Sequence, residues 1–351
     1  MLIDAALESD VTQTGPKAAE LERSGYAGIW VSETQHDPFL QLLQVADATE
    51  RVTVGTAIAI AFGRTPLTMA HLAFDMALYS RGRFVLGLGS QVKPHIERRF
   101  SMPWSQPAAR MKEFVLALRA IWETWQHGEP LDFRGEFYTH TLMTPFFSPQ
   151  GHRYGPPPVY VAGVGELMTE VAGEVCDGFF VHPFTTRRYF DEVTRPALLK
   201  GRAAAGHDDL GAFTVAGPSF VVVGRNEAEL SEAVRGTKQQ IAFYASTPAY
   251  KSVLERHGWA DLQPELTRLS KAGRWTELAD TISDEMLDLF AVIGDPESAG
   301  RELAQRWGGV YDRLSFDTPY RVDSAILTTV ASAARRELDL ARSNPTDDPN
   351  H

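Results

Sequence analysis

The chain has 351 residues, 44% of them hydrophobic and 23% charged, which is the composition of a globular protein with a sizeable core and not of a disordered chain. Its 45 acidic residues outnumber 34 basic ones for a net charge of -11, and no basic stripe tracks a phosphate backbone, so nucleic acid is excluded as a partner. The N-terminus opens directly as an apolar strand without a basic leader, and no apolar run reaches the ~18 residues of a membrane span; a cytoplasmic protein with no membrane partner is expected.

In chain order, short runs rich in Val, Ile and Phe alternate with longer amphipathic stretches. Strands are predicted over residues 2–7, 28–33, 52–60, 84–90, 159–164, 178–183, 213–223 and 313–317, and helices over 16–24, 67–79, 108–126, 167–176 and 188–205. Eight strands with helices between them describe an α/β fold, a (β/α)8 TIM barrel with insertions, favoured over an open doubly wound sheet. One domain is expected over residues 1–342, with insertions at 131–158 (aromatic and Pro-rich) and 226–296 (mostly helical), followed by a flexible tail at 343–351.

Barrel enzymes carry their reacting groups at the C-terminal ends of strands. The second predicted strand ends in Glu33, His36 and Asp37, and a histidine there can donate a hydrogen bond or exchange a proton near neutral pH. The competing reading has His36 cap the helix after Pro38. The fourth strand brings Gly87 and Gly89, then Ser90 and Gln91 at the rim, with Lys93 and His95 beyond. The fifth feeds Gly163 and Gly165 into a helix, and the N–H groups of such a turn suit an anion such as a coenzyme phosphate. A third glycine two residues on is missing, which disfavours a Rossmann dinucleotide site.

Histidine spacing gives no metal motif, and no GxSxG surrounds a serine. The lone Cys176, expected inside a helix, reads as a buried inert thiol. The aromatics of the first insertion, Phe133, Phe137, Tyr138, Phe146 and Phe147, line a pocket or pack a loop core.

Three segments together, GIWVSETQHDPF, RVTVGTAIAIAFGRTP with RGRFVLGLGSQ, and PPVYVAGVGELMTEVAGEVCDG, resemble the bacterial luciferase-like oxidoreductases, and most closely the branch dependent on the deazaflavin coenzyme F420. The resemblance runs from the N-terminus to about Pro319. It implies a non-prolyl cis peptide at Ala57 and Ile58 behind the deazaflavin ring, Ser90 and Gln91 beside the coenzyme, and a phosphate site at Ala162, Gly163, Val164, Gly165 and Met168. It also implies hydride transfer to or from a small organic substrate, with His36 and Glu33 as the catalytic pair, and a homodimer. Family members commonly place an acidic residue and a histidine side by side after the second strand; here Thr34 and Gln35 intervene, so either His36 or Thr34 faces the ring. Two alternatives within the same fold are an FMN-dependent monooxygenase and a non-catalytic coenzyme-binding protein; a coenzyme-free lyase or hydrolase is a third.

Overall fold

The computed structural model describes residues 1–343. Its elements begin with β1 (Leu2–Ile3), β2 (Ala5–Ala6), α1 (Thr14–Arg23), β3 (Gly28–Val31), α2 (Pro38–Ala48), β4 (Thr53–Thr56), β5 (Ala59–Ile60) and α3 (Pro66–Tyr79). Next come β6 (Phe84–Gly89), α4 (Lys93–Arg98), α5 (Pro107–His127), β7 (Phe133–Arg134), β8 (Thr139–His140), β9 (Val159–Gly163), α6 (Glu166–Val175) and β10 (Gly178–Val181). After α7 (Arg187–Tyr189), α8 (Arg195–Ala204) and β11 (Thr214–Val222) the chain turns helical: α9 (Glu227–Ala245), α10 (Lys251–Arg256), α11 (Gln263–Lys271), α12 (Trp275–Asp280) and α13 (Asp284–Phe290). It ends with β12 (Ala291–Ile293), α14 (Pro296–Trp307), β13 (Arg313–Asp317) and α15 (Ser324–Ser343). Of the tail expected at 343–351, Ser343 closes α15 and the rest lies outside the described residues. No helix among the described residues is long and apolar enough to cross a membrane.

The strand expected over 2–7 is broken at Asp4, and the one over 52–60 is broken at residues 57–58. Cys176 follows α6 instead of lying within it; it is buried and unbridged, and burial pushes its thiol pKa far up.

The chain forms two compact units. The larger, Asp4–Val181 with Val193–Val215, orders its strands β2-β3-β4-β6-β9-β10, and every neighbouring pair is parallel. Parallel strands are covered on both faces, so their sequences are apolar without alternation; β3 and β6 are buried at every residue. Between these strands, Trp30 meets Phe180 edge-on at 5.1 Å, and its Nε1 donates to the buried Asp4 carboxylate at 2.8 Å. The helices start where side chains satisfy free N–H groups: Asp37 accepts from Phe39 ahead of α2, and Thr65 accepts from Thr68 ahead of α3, each followed by a proline at the first helical position. Such a cap contributes about 1 kcal/mol.

Within the insertion at 131–158, β7 and β8 form an antiparallel hairpin. The Glu113 carboxylate on α5 accepts the N–H groups of Glu136 and Phe137 at its turn, and Arg110 donates to the Tyr138 hydroxyl at 2.8 Å. Phe133, Phe137 and Tyr138 are half-buried on this anchored hairpin, whereas Phe146 and Phe147 are 89% and 68% exposed. The last two pack no core; their rings meet each other edge-on at 5.1 Å.

The smaller unit comprises Met1–Ile3, His182–Glu192 and the described residues from Ala216 onward. Its strands run β1-β13-β11 with β12 on β11, all parallel. Residues 226–296 are mostly helical, as their pattern implied, with β12 as a short unforeseen strand. Phe184 stacks on Phe290 at 4.7 Å and Trp307 on Tyr311 at 4.3 Å.

Candidate active site

The residues singled out in the sequence follow four neighbouring strands of the larger unit: β3, β4, β6 and β9. The parallel registers Val31↔Thr56, Ile60↔Gly89 and Leu88↔Val161 bring their C-terminal ends together.

The break between β4 and β5 is the most heavily supported part. The peptide between Ala57 and Ile58 is cis. Ser32 Oγ donates to the Ala57 carbonyl at 2.7 Å, and the Glu33 N–H donates to the Ile58 carbonyl at 3.1 Å. Glu33 Oε2 accepts the Ile60 N–H at 2.8 Å and Arg64 Nη1 at 2.6 Å. The other arm of Arg64 reaches Asp37 at 2.8 Å, and Arg99 donates to the Thr34 carbonyl at 2.7 Å. The Glu33 and Arg64 side chains are only 8% and 14% exposed. Burial works against the Arg64 charge, but Glu33 and Asp37 outweigh it and hold its pKa above the usual value. Thr34 and His36 are exposed, and the His36 ring has no hydrogen bond among the described residues.

Gly87 and Gly89 exist because the broken strand lies against them. A Cβ on Gly87 would stand 1.9 Å from the Thr56 carbonyl oxygen, and one on Gly89 would stand 2.7 Å from Ile58 Cδ1. Thr56 Oγ1 closes the gap by accepting the Gly87 N–H and donating to the Gly87 carbonyl. Past β6, Ser90 Oγ donates to the Gln91 carbonyl at 3.0 Å. Gln91 takes φ 59°, a left-handed conformation uncommon outside glycine, and its Oε1 accepts the Val92 N–H.

At the fifth strand, Ala162 and Gly163 end β9, Val164 follows, and Gly165 is the N-cap of α6 with no side-chain cap bond. Nothing lies within 4 Å of a Cβ placed on Gly165, while one on Gly163 would meet Met168 Cγ at 2.8 Å. Met168 therefore packs under the turn. Glu166, in the first turn of α6, is exposed and sets a carboxylate beside it.

Sequence reasoning passed over three residues. Arg64 and Arg99 meet partners 31 and 65 positions away, and no local pattern signals that. His182 directly follows β10, the kind of strand end where barrels place functional groups, so the strand-end rule could have found it. Enclosure lowers its pKa to about 3.

Parallel strands alternating with helices define the (β/α)8-barrel class, and polar residues gather past the C-terminal strand ends. The fold agrees with the coenzyme F420 dependent tetrahydromethanopterin reductase of Methanopyrus kandleri, with a TM-score of 0.77 at 18% identity over 95% of this chain and 97% of that one. Residues 6–312 match the model of the luciferase-like monooxygenase family, and the chain belongs to that family of oxidoreductases. An uncharacterised protein of Mycobacterium tuberculosis (strain ATCC 25618 / H37Rv) is 51% identical over 312 residues, 89% of this chain and 92% of that protein. A 5,10-methylenetetrahydromethanopterin reductase of Archaeoglobus fulgidus is 26% identical over 284 residues, covering 79% and 80% of the two chains.

Proposed function

We propose that the protein is an F420-dependent oxidoreductase that transfers a hydride between the deazaflavin and a small organic substrate. The observation that carries this reading is the break at Ala57–Ile58, held by Ser32, Glu33 and Arg64. It forms a fixed backbone shelf at the strand ends, suited to the face of a flat ring. The turn at Gly165 fits a phosphate: its backbone is open where a Cβ would stand, and the uncapped start of α6 lies behind it. When bound, the deazaflavin supplies a ring carbon that gives or takes a hydride.

The chain's own contribution is placement and proton handling. Ala57 and Ile58 support the ring, Ser90 and Gln91 flank it, and residues 162–165 with Met168 hold the phosphate. Glu33 positions the shelf: Oε2 is engaged by an arginine and an N–H, so its part is structural in place of proton transfer. His36, exposed and without a hydrogen bond among the described residues, is the candidate to give or accept the proton that balances hydride transfer.

Titration of the purified protein with F420 and, separately, with FMN, followed by tryptophan fluorescence, tests the reading. Saturable binding of F420 alone is expected. Binding of FMN alone moves the protein to the oxygen-using monooxygenases of the same family, and binding of neither overturns the assignment.

Gly165→Ala probes the phosphate turn. At φ -80°, ψ 151° and with open space around the added methyl, alanine is accommodated, so stability should stay within about 0.5 kcal/mol of the parent. F420 affinity should fall about tenfold or more because the methyl occupies the phosphate's place. Unchanged affinity would move the phosphate elsewhere. Gly163 is the poorer probe, since a side chain there must first displace Met168.

A further inference from the structure

His182 is unlike His257, the other described histidine of the smaller unit. Its Nδ1 accepts the Phe184 N–H at 3.0 Å. A ring nitrogen that accepts carries no proton, so in the neutral ring the proton sits on Nε2. The rings of Tyr244 and Tyr250 flank it, with centroids 4.7 and 4.6 Å away. Phe184 extends the aromatic wall, 6.2 Å from Tyr250. Neither His182 Nε2 nor the Tyr250 hydroxyl has a hydrogen-bond partner among the described residues, and both side chains retain some exposure.

Burial alone lowers the His182 pKa and raises that of Tyr250, with no charged residue contributing to either. Both rings packed against the imidazole belong to titratable side chains, Tyr244 and Tyr250. No cation among the described residues acts on either group, which disfavours a phosphate or carboxylate, and a neutral donor amid aromatic faces matches a neutral acceptor on an apolar body.

We propose that His182, Tyr244 and Tyr250 form a recognition site for an uncharged aromatic or cyclic apolar molecule bearing a carbonyl oxygen, to which His182 Nε2–H donates a hydrogen bond. This site is independent of the hydride-transfer reading.

Acetophenone labelled with 13C at the carbonyl, added to the full-length protein without coenzyme, tests the site, with benzoate as its anionic counterpart. The carbonyl resonance should move downfield and saturate in the millimolar range or below, typical of so small a ligand, and benzoate should not compete. His182→Phe should weaken this binding about tenfold or more, and His182→Gln, which keeps an N–H donor, should restore part of it. Absence of a saturable shift, equal binding of benzoate, or full retention in His182→Phe overturns the proposal. Should His182→Phe not fold, the benzoate comparison and the 15N spectrum of the wild-type ring decide, the latter requiring Nδ1 bare and Nε2 protonated at neutral pH. Acetophenone binding without any F420 binding would leave the site standing and overturn only the hydride-transfer reading.

Discussion

Replacing Arg64 by alanine is expected to cost about 3–5 kcal/mol of stability, the range for removing one partner of a buried ion pair, and to weaken coenzyme binding with it. Arg64 spans two segments: one arm holds Glu33 at 2.6 Å and the other Asp37 at 2.8 Å. Without it Glu33, at 8% side-chain exposure, keeps only the Ile60 N–H on Oε2, and its uncompensated charge is what makes the change expensive. Glu33→Gln should cost less, because Arg64 then retains Asp37. The double variant should be clearly more stable than the sum of the two losses, a coupling above about 1 kcal/mol. Urea unfolding of the four proteins measures this. Additive losses, or a cost for Arg64→Ala below about 1 kcal/mol, would mean that the pair does not hold the shelf. The same variants give F420 affinity, which should fall with the shelf's support even at temperatures where Arg64→Ala remains folded.

The fold was legible because a parallel sheet writes itself as unbroken apolar runs. The predicted strand over 313–317 coincides with β13, and that over 84–90 overshoots β6 by one residue. Reading failed where apolar sequence hides a backbone irregularity. Residues 52–60 look like one strand because the small and aliphatic side chains of Ala57 and Ile58 leave no trace of a broken peptide geometry in composition. Family resemblance placed the cis bond there; periodicity did not. The glycines of β6 were visible, yet their cause, a carbonyl 1.9 Å from a would-be Cβ, belongs to a strand 31 positions earlier. At the site, residues on strand ends could be found one by one from the strand predictions, while their restraints could not. Glu33 reads as a reactive carboxylate next to a histidine, and only the approach of Arg64 and the Ile60 N–H reveals it as a clamp. His182 stands beside Pro183 at a predicted strand end and carried the same signal as His36. What distinguishes the two is enclosure, which depends on Tyr244 and Tyr250 from a segment some sixty positions later.

That enclosure gives stability a pH dependence above the carboxylate range. The neutral His182 ring is favoured by burial, which lowers its pKa from 6.5 to about 3. In the unfolded chain the ring takes up a proton near pH 6.5, whereas the folded protein refuses it until about pH 3, so between these values the unfolded state binds more protons. By linkage, stability is full above pH 6.5 and declines as pH falls toward 3. The loss should be about 2 kcal/mol between pH 7.5 and 5, growing to about 3–5 kcal/mol once both states are protonated. His140 and His257, also lowered mainly by burial, add to the decline with the same sign. Urea midpoints at pH 7.5 and 5 should therefore separate in the parent and draw together in His182→Gln, which has no proton to take up. Equal separation in both proteins would show that His182 titrates freely in the folded state. The ring would then be charged at mildly acidic pH, and the aromatic enclosure that favours a neutral ligand would be open to water.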